Sequence, residues 1–205
     1  MTASYDIIIT MPNPSTATAP DIVEVARRLI EQEGPASLTM RRLAGELGTS
    51  YQVVYSRVGG KPEVLRAVHD EGFRRLSDPA APAGAEPGTP GYLRWLAVAY
   101  LRFAVENPRL FDVMFGGSGP ARDERAREVE RAAFRACWVQ PARAWLDTAH
   151  PERPRGSATR LAWRLWSAVH GITVLHLAGH ETPSGDVETE VAGVVDVLLA
   201  DPLRP

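Results

Sequence analysis

The sequence predicts an all-α fold of about nine helices, and three observations carry that expectation. Apolar residues recur at three- and four-residue spacing along most of the chain. Glycine and proline, 17 of each, mark the ends of these runs. No strand-like pattern stands out apart from Tyr5–Thr10.

Residues 1–18 hold Pro12, Pro14 and a Ser/Thr/Ala mixture without helical period, and are expected to form a disordered arm. Pro20 and Asp21 suit a first helical turn, and Ile22, Val25, Ala26, Leu29 and Ile30 continue at helical spacing until Gly34-Pro35 stops the helix. A second helix is expected from about Thr39 to Leu47, ending at Gly48, and a third from Ser50 to Arg57, ending before Gly59-Gly60. A fourth opens near Lys61-Pro62 and carries Val64, Leu65 and Val68 towards Leu76. Residues 78–91, rich in Pro, Ala and Gly, read as a linker. The helix at 91–106 is apolar on nearly every side, which marks it as buried. A short helix at 108–115 and the loop 116–120 precede a charged stretch, 122–131, that runs on through Phe134, Trp138 and Trp145. Pro141 inside it should kink or divide that helix. Two more helices, at about 156–179 and 185–200, complete the chain. The implied organisation is an arm (1–18), a three-helix domain (19–66) and a larger helical domain (67–205).

Composition narrows the function class. With 23 basic and 25 acidic residues the net charge is −2, so an affinity for polyanions would have to be local. A single cysteine, Cys137, excludes an intrachain disulfide and a Cys-based zinc cluster, and is expected to be a buried small apolar residue. No apolar run approaches a bilayer span, and Tyr5–Met11 is too short for a signal peptide, so a cytoplasmic protein without membrane contact is expected. Lys61 is the only lysine beside 22 arginines, so an isolated arginine carries little functional information here.

Residues 37–61 supply the local basic patch: Arg41, Arg42, Arg57 and Lys61 against Glu46. Two short helices joined by a tight turn at a glycine describe a helix-turn-helix. Leu43, Ala44, Leu47, Val54 and Val58 face inward, and the second helix offers Tyr51, Gln52, Tyr55, Ser56 and Arg57 outward, residue types that suit base edges and phosphates. From Ile22 to about Leu65 the chain resembles the DNA-binding domain of the tetracycline-repressor (TetR) family. The resemblance rests on Ile22-Val-Glu-Val-Ala26, Leu38-Thr39 followed by Leu43-Ala44 and Leu47-Gly48, and above all Val54-Tyr55-Ser-Arg-Val-Gly-Gly-Lys61. It departs at Val58, where many members have Phe, at Gln52, where many have Gly, at Pro62 in place of an acidic residue, and in lacking basic residues ahead of the first helix. The resemblance implies that Tyr55 and Lys61 clamp phosphates, that Thr39 and Arg41 touch backbone or base edges, and that Tyr51, Gln52, Val53, Ser56 and Arg57 face the major groove. Plainer readings stand beside these: methyl packing for Val53, core cover for Tyr51, and a solvated or ion-paired surface residue for Arg42.

The second half, about 92–200, resembles a TetR subgroup whose ligand-binding domain carries a Trp-His-Gly signature, spread here as Trp166, His170 and Gly171. That resemblance implies a small-molecule sensor, and the family suggests an effector site among Phe103, Phe111, Met114, Trp138 and Trp166, all apolar. Trp163, Trp166, His170, Val174 and Leu177 form one narrow stripe, and Val187, Val191, Val194, Val195, Leu198 and Leu199 another. The expected dimer interface therefore comprises Trp163, His170, Gly171, Val174, Val191, Val194, Val195 and Leu198. His170 reads either as a hydrogen-bonded interface or core residue, or as a ligand contact. His176 and His180 have a spacing that suits a metal, but Gly179 weakens the helix and no third ligand is apparent; no metal, cofactor or catalytic site is expected. The expected function is a homodimeric regulator, a repressor that leaves a palindromic double-stranded DNA operator when an apolar or aromatic effector binds. The alternative is a helical small-molecule or metal-binding protein that no longer binds DNA specifically.

Overall fold

The computed structural model of the chain describes residues 17–79, 81–82 and 84–200; the strand-like run at 5–10 and most of the expected arm lie outside the described residues. Among the described residues there is no strand. The helices are α1 (Ala19–Glu33), α2 (Met40–Glu46), α3 (Tyr51–Val58), α4 (Lys61–Leu76), α5 (Pro90–Glu106), α6 (Pro108–Phe115), α7 (Glu124–Phe134), α8 (Gln140–Ala149), α9 (Gly156–Leu177) and α10 (Val187–Ala200). A π turn, Arg135–Val139, joins α7 to α8, so the described residues form nine rods. No helix among them is long and apolar enough to cross a membrane.

The first helix begins earlier than its periodicity suggests. Thr18, expected in the arm, caps α1 by accepting from the Asp21 N–H while Asp21 accepts from the Thr18 N–H at 2.9 Å, and Ala17 is buried. Thr39 and Ser50 cap α2 and α3 in the same way, each side chain accepting one amide of its first turn. The turn between them passes through Gly48 at φ +61°, a conformation that glycine adopts without strain.

Pro141 divides its helix into α7 and α8 without ending the rod, since a π turn bridges the two. Its ring would press on the carbonyl of Cys137, four residues back; the rod widens locally instead, and the Gln140 N–H reaches the Arg135 carbonyl, five residues back. That turn buries Cys137 and Trp138.

In the larger domain α5 is central. Its Leu93, Ala97, Tyr100, Leu101 and Ala104 are buried, with α9 and α10 packed against it. Val191 and Val195, expected at a dimer interface, are fully buried within the protomer. They cannot also meet a second copy, because α10 turns this stripe towards α5, fixed there by Arg94–Asp196 and by Arg102–Glu188 at 2.7 Å.

The contacts that tie the small domain to the large one include Arg66–Asp123, Arg75–Glu24 and a helix cap. Glu31 of α1 accepts from the backbone N–H of Arg109 at 3.3 Å and of Leu110 at 3.0 Å, so the free amides that open α6 are capped by another helix. On the far side α6 meets α4 at Gly72, where an added Cβ would lie 2.6 Å from Met114 Sδ. Met114 thus fills the α4–α6 contact, not a ligand site.

Candidate nucleic-acid interface and ligand cavity

Six of the nine residues expected at DNA lie on α3. Tyr51 and Tyr55 are 49% and 55% exposed and stack, with ring centroids 5.8 Å apart and planes at 21°. Two tyrosines at i and i+4 left in water support each other. Gln52, Ser56 and Arg57 are exposed beside them, and Val53 is half-buried, compatible with either of its readings. Ser56 Oγ donates to its own helix at Val53 O (3.0 Å), so towards DNA it is left as an acceptor. Thr39 Oγ1 accepts from the Arg42 amide at 3.2 Å, which leaves its own proton to donate.

Charge pairing separates the cations of this face from most others. Arg42 is bound by both nitrogens to Glu33 of α1, which settles it as an ion-paired surface residue. Arg41, Arg57 and Lys61 have no ion pair with any described residue, whereas most arginines elsewhere face a carboxylate. Gly59 and Gly60 set Lys61 in place. Gly59, at φ +87°, ends α3 by donating to Tyr55 O at 2.8 Å. Glu63 folds over Gly59 and accepts the Gly60 N–H at 2.9 Å, leaving no room for a side chain at 59. Lys61 is therefore the first residue of α4, one tight turn from Tyr55.

The larger domain holds two neighbouring half-open hollows of about 300 and 320 Å³, here called arms, whose linings share Leu76, Tyr100, Cys137 and Trp138. Each lies at the lower end of the range for small-molecule sites. Phe103 lines the first arm, Trp166 the second and Trp138 both. Phe111 is buried behind them, against Tyr100 and Phe115 at 5.8 and 4.7 Å, and borders an outer groove between α6 and α9. Sequence reasoning thus placed three cavity residues and two that pack behind or beside the site.

It did not single out Tyr100. Its hydroxyl stands 2.7 Å from His170 Nδ1 and accepts from Trp166 Nε1 at 3.4 Å. Burial pushes the Tyr100 hydroxyl above its ordinary range and His170 below its own, which favours the neutral form of each. The cue was present: a buried tyrosine on a largely apolar helix needs a polar partner, and His170 is the polar residue of the facing stripe. His170 accordingly belongs to the aromatic cluster with Phe111, Phe115 and Trp166, and its half-buried ring also borders the groove between α6 and α9. Trp163 joins the same side: although 57% exposed, it packs on Trp166 and Phe134 at the rim of the second arm. Val174 faces the α6–α9 groove. Of the expected interface residues on α9 only Gly171 lies on a face free of packing, with nothing near its Cα for an added Cβ to meet. Val194 and Leu198 on α10 are half-buried.

Cys137 is buried, and that burial pushes its thiol upward. His176 and His180 border a surface hollow between α9 and α10, and among the described residues no group of three or more ligating side chains could hold a metal ion.

Comparison with known proteins gives two family matches. Residues 22–68 match the bacterial regulatory proteins of the tetR family, and residues 93–198 match the tetracyclin repressor-like C-terminal domain. An HTH-type transcriptional repressor, DrrR1, of Streptomyces coeruleorubidus is 41% identical over 69 residues, which are 34% of this chain and 25% of that protein. An uncharacterized HTH-type transcriptional regulator of Mycobacterium tuberculosis is 25% identical over 91% of this chain and 80% of its own length. Among solved structures, a protein with unknown function from Rhodococcus sp. RHA1 has a TM-score of 0.70 at 25% identity, covering 87% of this chain and 92% of that one. The TetR family transcriptional regulator PfmR from Thermus thermophilus has a TM-score of 0.59 at 21% identity, covering 89% and 99%; that likeness is one of fold.

Proposed function

Because the chain belongs to the TetR family, non-enzymatic DNA-binding regulators that act as dimers on operators, we propose that it is a ligand-released repressor. Thr39, Arg41, Tyr51, Gln52, Val53, Tyr55, Ser56, Arg57 and Lys61 form its DNA contacts, and the paired hollows hold its effector. One observation carries this reading: α4 opens with Lys61 at the exposed face and closes with Phe73 and Leu76 in the lining of the cavity. A single 16-residue helix, about 24 Å long by its rise per residue, thus has an end in each candidate site. Two protomers read half-sites about 34–36 Å apart, or a related helical-turn spacing, so a small tilt of α4 changes the distance that DNA fixes. DNA as the partner implies action in the cytoplasm.

The effector is small and apolar or aromatic, in keeping with rings from α4, α5, α6, α7 and α9 around the second arm. Shifting the DNA-competent population from 99:1 to 1:99 requires about 5.5 kcal/mol of differential binding between the two states. Operator sequences selected from random DNA, followed by competition with compounds that raise the melting temperature, test the proposal. A stabilising compound should displace the operator. Retention of no sequence at low salt would remove the DNA function, and stabilising compounds that all leave DNA affinity unchanged would remove the switch.

A further inference from the structure

We propose that the second arm binds a small aromatic acid, with its rings inside the hollow and its carboxylate at the mouth, held by Arg122 and Arg127; this rests on that arm being the effector site. The lining divides by wall. On α7, Arg127, Arg131 and Phe134 follow at four- and three-residue spacing and so share a face, and Arg122 joins them from just before the helix. On α9, Trp163 and Trp166 form an aromatic wall. The inner end has its polar groups engaged already. The Tyr100 hydroxyl is met by His170 and Trp166, and the Cys137 thiol donates to Leu76 O at 3.6 Å. That end suits rings, not a charged head.

The mouth has the opposite character. Three arginines line it against one carboxylate, Glu130. Glu130 Oε1 has no surface open to solvent and lies 3.7 Å from His69 Nε2 and 3.8 Å from Arg122 Nε, so its charge is met from behind. Arg131 is committed to Glu124 and Glu128 at 2.6 and 2.8 Å. Arg122 and Arg127 are not committed. Their nearest carboxylate oxygens, on Glu130 and Glu124, stand 3.8 Å away, beyond hydrogen-bond reach. Glu124 is 75% exposed and hydrated, which makes it a weak competitor. Two guanidinium groups with donors to spare match a carboxylate, which accepts charge-assisted bonds from such forks. A ligand anchored this way lays its rings against Phe73 and Leu76, at the end of the helix that starts at Lys61.

Three probes on one naphthalene frame test this by calorimetry on the full chain: the carboxylate, its neutral carboxamide, and the naphthylmethylammonium cation. The carboxylate should bind about fivefold or more tighter than the amide at low salt, the gap should narrow as salt rises, and the cation should bind most weakly. The double variant Arg122→Gln/Arg127→Gln should bring carboxylate affinity down to that of the amide and leave the amide unchanged. Neither guanidinium makes a hydrogen bond among the described residues and both side chains are more than half exposed, so this variant should fold. Trp163→Ala, on the opposite wall and 57% exposed, should weaken carboxylate and amide in parallel. Equal binding of carboxylate and amide, tightest binding of the cation, or a carboxylate advantage that survives in the double variant would each overturn the proposal; the arm remains the effector site if Trp163→Ala still weakens the probes. Binding of carboxylate and amide that Trp163→Ala leaves untouched would remove the arm as the site, and the proposal with it. Absence of binding by all three probes overturns the aromatic-acid assignment alone, since the stabilising compounds of the operator competition, retested on Trp163→Ala, decide the site separately.

Discussion

Removing Lys61 takes away a charge that meets every phosphate alike, whereas removing Gln52 or Arg57 takes away a donor aimed at base edges. Lys61→Ala and Tyr55→Phe should therefore weaken binding to all sequences in parallel, with Lys61→Ala lowering the salt slope by about one unit. Gln52→Ala or Arg57→Ala should instead relax preference at individual base pairs, each by roughly 1–3 kcal/mol; titrations of operator variants at several salt concentrations separate the two patterns. A different residue governs acid stability. Hydrogen bonds from Arg74, and then Arg75, hold Glu71 at about 2 against the opposing effect of burial. A carboxyl depressed from 4.5 contributes stability that is complete above that value and is lost as pH falls towards 2. The melting temperature of the wild type should drop more steeply through that window than that of Glu71→Gln. At this scale the sequence was legible wherever the backbone dictates the outcome. The types and spacing of Tyr55, Gly59, Gly60 and Lys61 imply a short helix, a stop and a restart, and the structure has them. Arg42 was ambiguous because its partner, Glu33, lies nine residues away on another helix, and nothing in the local pattern points to it.

Helices were the most legible feature, since apolar period and Gly/Pro stops are local properties, and most fall within a few residues of where the pattern puts them. The neighbours of each helix were less so. The α9 stripe Trp163–Trp166–His170–Val174 has the spacing of a helix–helix seam, yet its rings close on α6, α7 and Tyr100 of α5. A periodic stripe reports that a face is covered and is silent on whether a ligand site or a second copy covers it. Likewise Val191 and Val195 have the pattern of a surface seam because their partner, α5, is some 90 residues away in sequence. The α6 helix shows the same limit from the other side. It has no side-chain cap of its own, since Asn107 makes none, and Glu31 of α1 supplies one from outside. Glu31→Ala should therefore cost about 1 kcal/mol in denaturant unfolding, the usual worth of a cap, while Glu31→Gln, which keeps an acceptor, should recover most of it.

At the scale of the assembly, the apolar side chains still exposed on the protomer include Leu175 of α9, 55% exposed, and Val197 of α10, 71% exposed. With Gly171 four residues, about one helical turn, before Leu175, they are the surface through which two copies should pair. Leu175→Asp and Val197→Asp place a charge there without disturbing the protomer core, so each should shift the dimer to monomer by several kcal/mol. Light scattering at micromolar concentration reads that shift, and a wild type that is monomeric under the same conditions would refute the interface. Such a dimer also carries a chemical consequence of its composition. Lys61 is the only lysine in the chain, and it stands at the start of α4 on the DNA side. Each protomer thus has one side-chain amine, and it marks the reading head. An amine-reactive fluorophore pair would label the two heads of one dimer and nothing else among its side chains, and energy transfer between them would measure the head-to-head distance. The paucity of lysine equips the molecule with a built-in ruler across its own two-fold axis.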